Sequence, residues 1–230
     1  MKTTLKHKSL RRTHLTVRLL VLGSLLAFGS STFGQATPGQ AFVEFKLNGL
    51  GSILIPDIME LQGGAYKTFS DASSKEMGYD VSGEVIFQQK GLNELNFKEI
   101  QTYARVMIAT ELGTPGSNQK LKAKIKATPR ELQILNSSFK KELVESFGDT
   151  GLRLLRWDGV SIVTVNGQSA LRIAYLRQLN DKPSVYVEIY NFQNYDRTHR
   201  LTISYRLHDA SIWKDALERT KNSFKITNVR

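Results

Sequence analysis

Few side chains in this chain have the chemistry to act on a ligand. Downstream of residue 36 there are two histidines, His199 and His208, with Asp196 and Asp209 near them in sequence. An imidazole can move a proton or hold a metal, and a carboxylate can orient it. A site built here would use His199, His208 and Asp209. The spacing fits no metal or hydrolase pattern: the chain has no HxH, HExxH or G-x-S-x-G. These positions read more simply as turn or strand-end residues. Gly49-x-Gly51 and Gly63-Gly64 lack the lysine, hydroxyl and following helix of a phosphate loop. Glu142 and Glu145, three apart on a helix, read as a solvated face. The sequence therefore assigns no catalytic residue, no metal ligand and no cofactor.

The charge run that stands out is Lys120, Lys122, Lys124 and Lys126, alternating with Leu121, Ala123 and Ile125. In an extended segment the ammonium groups share one side and attract phosphate, an anionic lipid surface or an acidic partner. In a helix they spread over a wider arc. The simpler reading is a solubilising edge, because lysine on an exposed strand blocks edge-to-edge pairing. No aromatic residue interleaves the run, which argues against single-stranded nucleic acid. These lysines are the candidate anion- or partner-binding residues.

The elements that must position such groups centre on Val160 to Arg206, which reads as an antiparallel meander. Asn166-Gly167 is a hairpin signal, since both central positions of a type I′ turn need positive φ. Asn180-Asp181-Lys182-Pro183 is a second turn and Tyr195-Asp196-Arg197-Thr198 a third. The runs between them are rich in Val, Ile, Tyr and Thr and alternate. Val185, Val187 and Ile189 oppose Tyr186, Glu188 and Tyr190, while Leu201, Ile203 and Tyr205 oppose Thr202, Ser204 and Arg206. One consistently apolar face calls for a helical layer. The other face is expected to carry Arg172, Tyr186, Glu188, Tyr190 and Arg206, a mix suited to a partner.

Further strands are expected at Ala41–Leu47, Ser52–Pro56, Glu84–Gln89 and Tyr103–Ala109. Asp57–Leu61 reads as the edge of the sheet, Gly63–Gly78 as a loop and Gly91–Phe97 as a turn region. Thr128-Pro129-Arg130-Glu131 is a helix start with a capping box, followed by the apolar stripe Leu132, Leu135, Phe139, Leu143 and Phe147 and a stop at Gly148. A last helix runs from a cap at Asp209 to about Lys221, with Ile212, Trp213, Ala216, Leu217 and Thr220 inward. Ser223-Phe224-Lys225-Ile226 then forms a short strand or tail. The expected fold is α+β: an antiparallel meander packed with two main helices, in a sandwich-like α/β/α arrangement.

The formal charge of +11 is unevenly spread. Six of the 32 basic residues and none of the 21 acidic ones precede residue 37, which leaves 26 against 21 and a balance of +5. A moderately basic domain needs no nucleic acid to explain it. Absence of cysteine excludes disulfides, thiol catalysis and a lipid anchor on Cys. Residues 1–36 have the parts of a secretory signal: a basic region to Arg18, an apolar run Leu19–Phe28, and small residues leading to Ala36. The run is shorter than the ~20 residues of a membrane span. Arg11-Arg12 lacks the apolar context of a twin-arginine signal, so the general route with cleavage near Ala36 is expected. Residues 37–51 then form an extension and 52–230 one domain.

The order of these features resembles the PsbP-like and DcrB-like group of small α/β domains. The resemblance rests on Ile55-Pro56 at a strand end and the capped helix at Pro129–Phe147. It includes Asn166-Gly167-Gln168-Ser169-Ala170 opening a long meander, and Trp213 in a last helix before Ser223-Phe224-Lys225-Ile226. It covers most of residues 52–227. It implies an antiparallel sheet between helices in an exported or membrane-peripheral accessory or binding protein, largely non-enzymatic. DcrB-like envelope proteins commonly carry a lipobox cysteine, which this chain lacks. The expectation is a periplasmic or extracellular accessory protein that acts through a sheet or loop surface. Its partner would be an envelope protein, a small ligand or an anionic membrane surface. The alternatives are a secreted enzyme of another type or an anion-binding protein using the lysine run.

Overall fold

A computed structural model describes residues 40–76, 83–94 and 101–230. The expected signal, residues 1–36, lies outside them, as do residues 77–78 and 95–97 of two expected loop regions. Strands β1 (Phe42–Leu47) and β2 (Gly51–Pro56) form an antiparallel pair, and β10 (Lys225–Ile226) joins the free edge of β2. A seven-stranded antiparallel sheet has the order β3-β4-β5-β9-β8-β7-β6. Its strands are β3 (Met59–Leu61), β4 (Val85–Gln89), β5 (Ala104–Leu112), β6 (Leu152–Val165), β7 (Gln168–Leu179), β8 (Val185–Gln193) and β9 (Arg197–Arg206). Among the described residues, three α-helices accompany them: α1 (Gly64–Glu76), α2 (Pro129–Phe147) and α3 (Ala210–Ser223).

The meander forms as its turns dictate. Asn166 and Gly167 have φ of 47° and 76°, the left-handed pair that a tight I′ hairpin requires. β3 lies at one edge of the large sheet, as the Pro56 break implies. The β8–β9 turn places Tyr195 at φ 63° and sets Val187 opposite Ser204 and Tyr190 opposite Leu201. The apolar rows of β8 and β9 therefore point to opposite sides. This corrects the expectation of a single apolar face, because a turn's length decides which rows share a side. It also removes Arg206 from the company of Arg172, Tyr186, Glu188 and Tyr190, since Arg206 pairs with Val185.

Both faces are consequently covered. On one, α3 and the small sheet bury Ile53, Ile55, Trp213, Leu217 and Phe224 against Val106, Ile108, Tyr190, Phe192, Leu201 and Ile203. On the other, Phe139, Leu143 and Phe147 of α2 pack on Ile173, Tyr175, Val187 and Ile189. Each such side chain contributes about 1.5–3 kcal/mol on full burial. The α2 capping box forms as its sequence predicts: Thr128 Oγ1 accepts from the Glu131 N–H at 3.2 Å, and Glu131 Oε2 accepts from the Thr128 N–H at 2.7 Å.

Two further expectations need correction. Residues expected as loop from Gly63 form helix α1, a third helix beside the two expected. Its start is held by a distant residue: Asn93 Oδ1 accepts from the Gly63 N–H at 2.7 Å. Gly64 sits at φ +56°, where a Cβ would come within 2.9 Å of the Asn93 carbonyl oxygen. Asp209 precedes α3 but makes no capping bond. Its Oδ2 instead accepts from the Tyr103 N–H at 2.9 Å and from Arg206 Nε at 2.7 Å, tying β9 to the approach to β5.

Candidate functional site

Strand directions bring the C-terminal ends of β5, β8 and β6 and the N-terminal ends of β9 and β7 to one end of the large sheet. The chain leaving β5 runs across that end to α2 as a strap. Gly113 N–H donates to the Asp196 carbonyl at 2.6 Å, Asn118 N–H to the Tyr195 carbonyl at 2.9 Å, and Tyr195 N–H to the Gln119 carbonyl at 2.9 Å. Gln119 N–H donates to Gln193 Oε1 at 3.0 Å, and farther along Ile125 N–H donates to Ser169 Oγ at 3.2 Å. The strap is thus pinned first to the β8–β9 turn and then to the start of β7.

Lys120, Lys122, Lys124 and Lys126 all lie on this strap and all are exposed. The segment is neither strand nor helix; a turn closes with the Ala123 N–H donating to the Lys120 carbonyl at 2.8 Å. The sequence alternation still operates in part. Leu121 is 3% exposed in the core and Ile125 is half-buried, while Ala123 is exposed with the lysines. Among the described residues, none of these ammonium groups forms an ion pair. The acids nearby are engaged. Glu111 pairs with Arg200, and Asp196 accepts from Arg197 Nε at 2.8 Å and Nη2 at 3.1 Å. Hydrogen bonding from Arg197 holds the Asp196 carboxyl below its ordinary pKa. Ammonium groups without carboxylate partners, on a strap whose main chain is tied to the sheet end, can attract anions.

The two histidines are not brought together. His199 is 2% exposed near the start of β9, whereas His208 is exposed beyond its end. More than ~20 Å of extended strand separates them. Asn194 Nδ2 donates to His199 Nε2 at 3.1 Å, which leaves Nδ1 as the donor to Thr110 Oγ1 at 2.9 Å. Burial, aided by the Arg197 charge, lowers the His199 pKa to about 4. Both nitrogens are thus occupied by structural partners. Asp209 lies beside His208, at 3.3 Å, and holds Arg206. Among the described residues no three His, Asp or Glu side chains gather as metal ligands do.

The polar group read from alternation does assemble, without Arg206. Arg172 Nε donates to Glu188 Oε1 at 2.8 Å, and its Nη2 donates to the Tyr186 hydroxyl at 3.1 Å. Burial opposes the Arg172 charge, and Glu188 more than offsets it, so the guanidinium pKa lies above its ordinary value. Burial, then the Glu188 charge, pushes Tyr186 up to about 12 and raises Tyr190 as well. Phenols that stay protonated at neutral pH serve here as hydrogen-bonding groups rather than as bases. A cleft of about 410 Å³ opens elsewhere, with Phe45, Leu50 and Ile86 in its walls and Lys67 paired to Asp71 at 2.7 Å on its lining.

Sequence pattern singled out the lysines but not the strap that carries them. The exposed apolar groups beside it, Leu112 and Tyr195, were missed too. The composition of residues 113–118 marks an exposed loop, but it does not show that Leu112 before it and Tyr195 of the facing turn are exposed as well.

No protein-family profile matches the chain, and no curated protein matches it. Among solved structures, the chain is similar to a protein from Bacteroides thetaiotaomicron at 9% identity and a TM-score of 0.43, over 80% of this chain and 47% of that one. It thus spans about half the length of that neighbour. It is also similar to cyanobacterial PsbP from Synechocystis at 12% identity and a TM-score of 0.48, over 89% of this chain and 99% of that one. The second belongs to the group that the order of motifs resembles, and both likenesses are of fold alone.

Proposed function

We propose that this protein is an exported accessory protein that binds an anionic partner surface through the strapped end of its large sheet. The observation that carries the reading is the row Lys120, Lys122, Lys124 and Lys126: exposed, fixed to the sheet end, and without a carboxylate partner among the described residues. Export is supported by the basic, apolar and small-residue order of residues 1–36. No helix among the described residues is long and apolar enough to cross a membrane. A binding role, rather than catalysis, is supported by the separation of His199 from His208 and by the bonds that occupy His199.

The test uses protein purified from its producing cells, with its N-terminus defined by mass spectrometry. It is mixed with the envelope fraction and sedimented. The expected N-terminus lies near Thr37. The protein is expected to sediment with the envelope, to be released in about 1 M salt, where the screening length is ~3 Å, and to stay in solution when the four lysines are changed to glutamate. An unprocessed N-terminus overturns export. Sedimentation unchanged by salt and by the charge reversal overturns the contact surface.

A further inference from the structure

We propose that the anionic partner is a lipid bilayer surface, entered at headgroup depth by Leu112, Pro115 and Tyr195 beside the lysine row. The inference rests on the contact reading above and names its partner. Leu112 is the last residue of β5 and is 75% exposed. Pro115 is exposed in the loop that follows, and Tyr195 is 37% exposed on the facing turn. The loop and turn are locked side by side by the Gly113–Asp196 and Asn118–Tyr195 backbone bonds. Tyr195 lies close over Gly116, where a Cβ would be 3.9 Å from its Cε2.

A single exposed leucine is ordinary. Here a leucine, a proline and a tyrosine share one tip, and the same segment continues directly into four lysines. An apolar tip with a tyrosine and flanking ammonium groups is the composition of an interfacial anchor: the carbons enter the headgroup boundary and the charges meet anionic lipids. An acidic protein interface also takes leucine and tyrosine, and the protein-free vesicles of the test separate that partner from a bilayer. A free phosphate needs a closed cradle, whereas these lysines spread along a strap spanning up to ~20 Å. The array fits a surface better than one ion. Of the charged groups near it, Asp196 pairs with Arg197 and Glu111 with Arg200, and Arg230, whose N–H donates to Asn194 Oδ1 at 2.8 Å, adds its positive charge beside Asp196.

The test compares sedimentation with vesicles of phosphatidylcholine alone and of phosphatidylcholine mixed with phosphatidylglycerol. The protein is again that purified from its producing cells. Binding is expected only with phosphatidylglycerol and is expected to vanish in about 1 M salt. Lys122→Glu with Lys124→Glu should weaken it about ten-fold or more. Leu112→Ser with Tyr195→Ser should weaken it about ten-fold, with retention on a cation exchanger unchanged. Both tip positions are exposed, and an unchanged melting temperature verifies the fold of each variant. Binding to the envelope fraction without binding to protein-free anionic vesicles overturns the lipid assignment and leaves the contact surface standing. Loss of both overturns both. Vesicle binding untouched by the Leu112 and Tyr195 changes overturns entry of the tip.

Discussion

At His199, burial and two hydrogen bonds turn a titratable ring into a fixed structural group. Its folded pKa is about 4, below its ordinary value of 6.5. Between those values the unfolded chain takes up a proton that the folded chain refuses. Stability is therefore full above about pH 6.5 and falls as pH drops toward 4, by up to ~3 kcal/mol from this group. In His199→Gln that increment should disappear. Urea midpoints measured at both ends of the window should then draw closer between wild type and variant at the acid end. A constant difference between the two would contradict the assignment. The sequence showed a histidine near a turn. It could not show the burial, because Thr110, one of the ring's two partners, lies 89 residues away. The same holds for Tyr103 and Asp209, 106 residues apart.

At the scale of elements, legibility followed locality. Helix α2 was readable because its capping box and apolar stripe lie within its own residues. The Asn166-Gly167 hairpin was readable for the same reason. Helix α1 was not: it buries Tyr66 and Ser70 and little else among its described side chains, so it lacks a stripe. Its start depends on Asn93, 30 residues away, and its Tyr66 hydroxyl meets Arg105 of β5. Asp209 was readable as a helix start but not as a tie. The difference is measurable. A lost cap costs about 1 kcal/mol and serine restores it. Breaking a buried ionic tie costs ~3–5 kcal/mol. Asp209→Ala and Asp209→Ser should therefore destabilise the protein alike, within the larger range, in urea unfolding. Rescue by serine would mean that Asp209 acts as a cap.

At the scale of the whole molecule, two packed faces leave ends and edges for contact. Neither edge of the large sheet is an inviting one. β3 is three residues long, and β6 carries register shifts at Leu154/Arg156 and Trp157/Gly159, which blunt an edge against strand addition. The strapped end, by contrast, gathers exposed charge and an exposed apolar tip. The alternation within each strand was legible, but which rows share a face was not, since that depends on the three-residue β8–β9 turn and its positive φ at Tyr195. The lysine row was legible as charge, while its place across the sheet end required the fold. The most direct test is a lysine-acylation footprint of the protein on anionic vesicles. Lys140 and Lys141, exposed on α2, serve as internal controls. The expected result is strong protection of Lys120, Lys122, Lys124 and Lys126, with Lys140 and Lys141 labelled as in free protein. Equal labelling of both groups with and without vesicles, or protection of α2 alone, would contradict it.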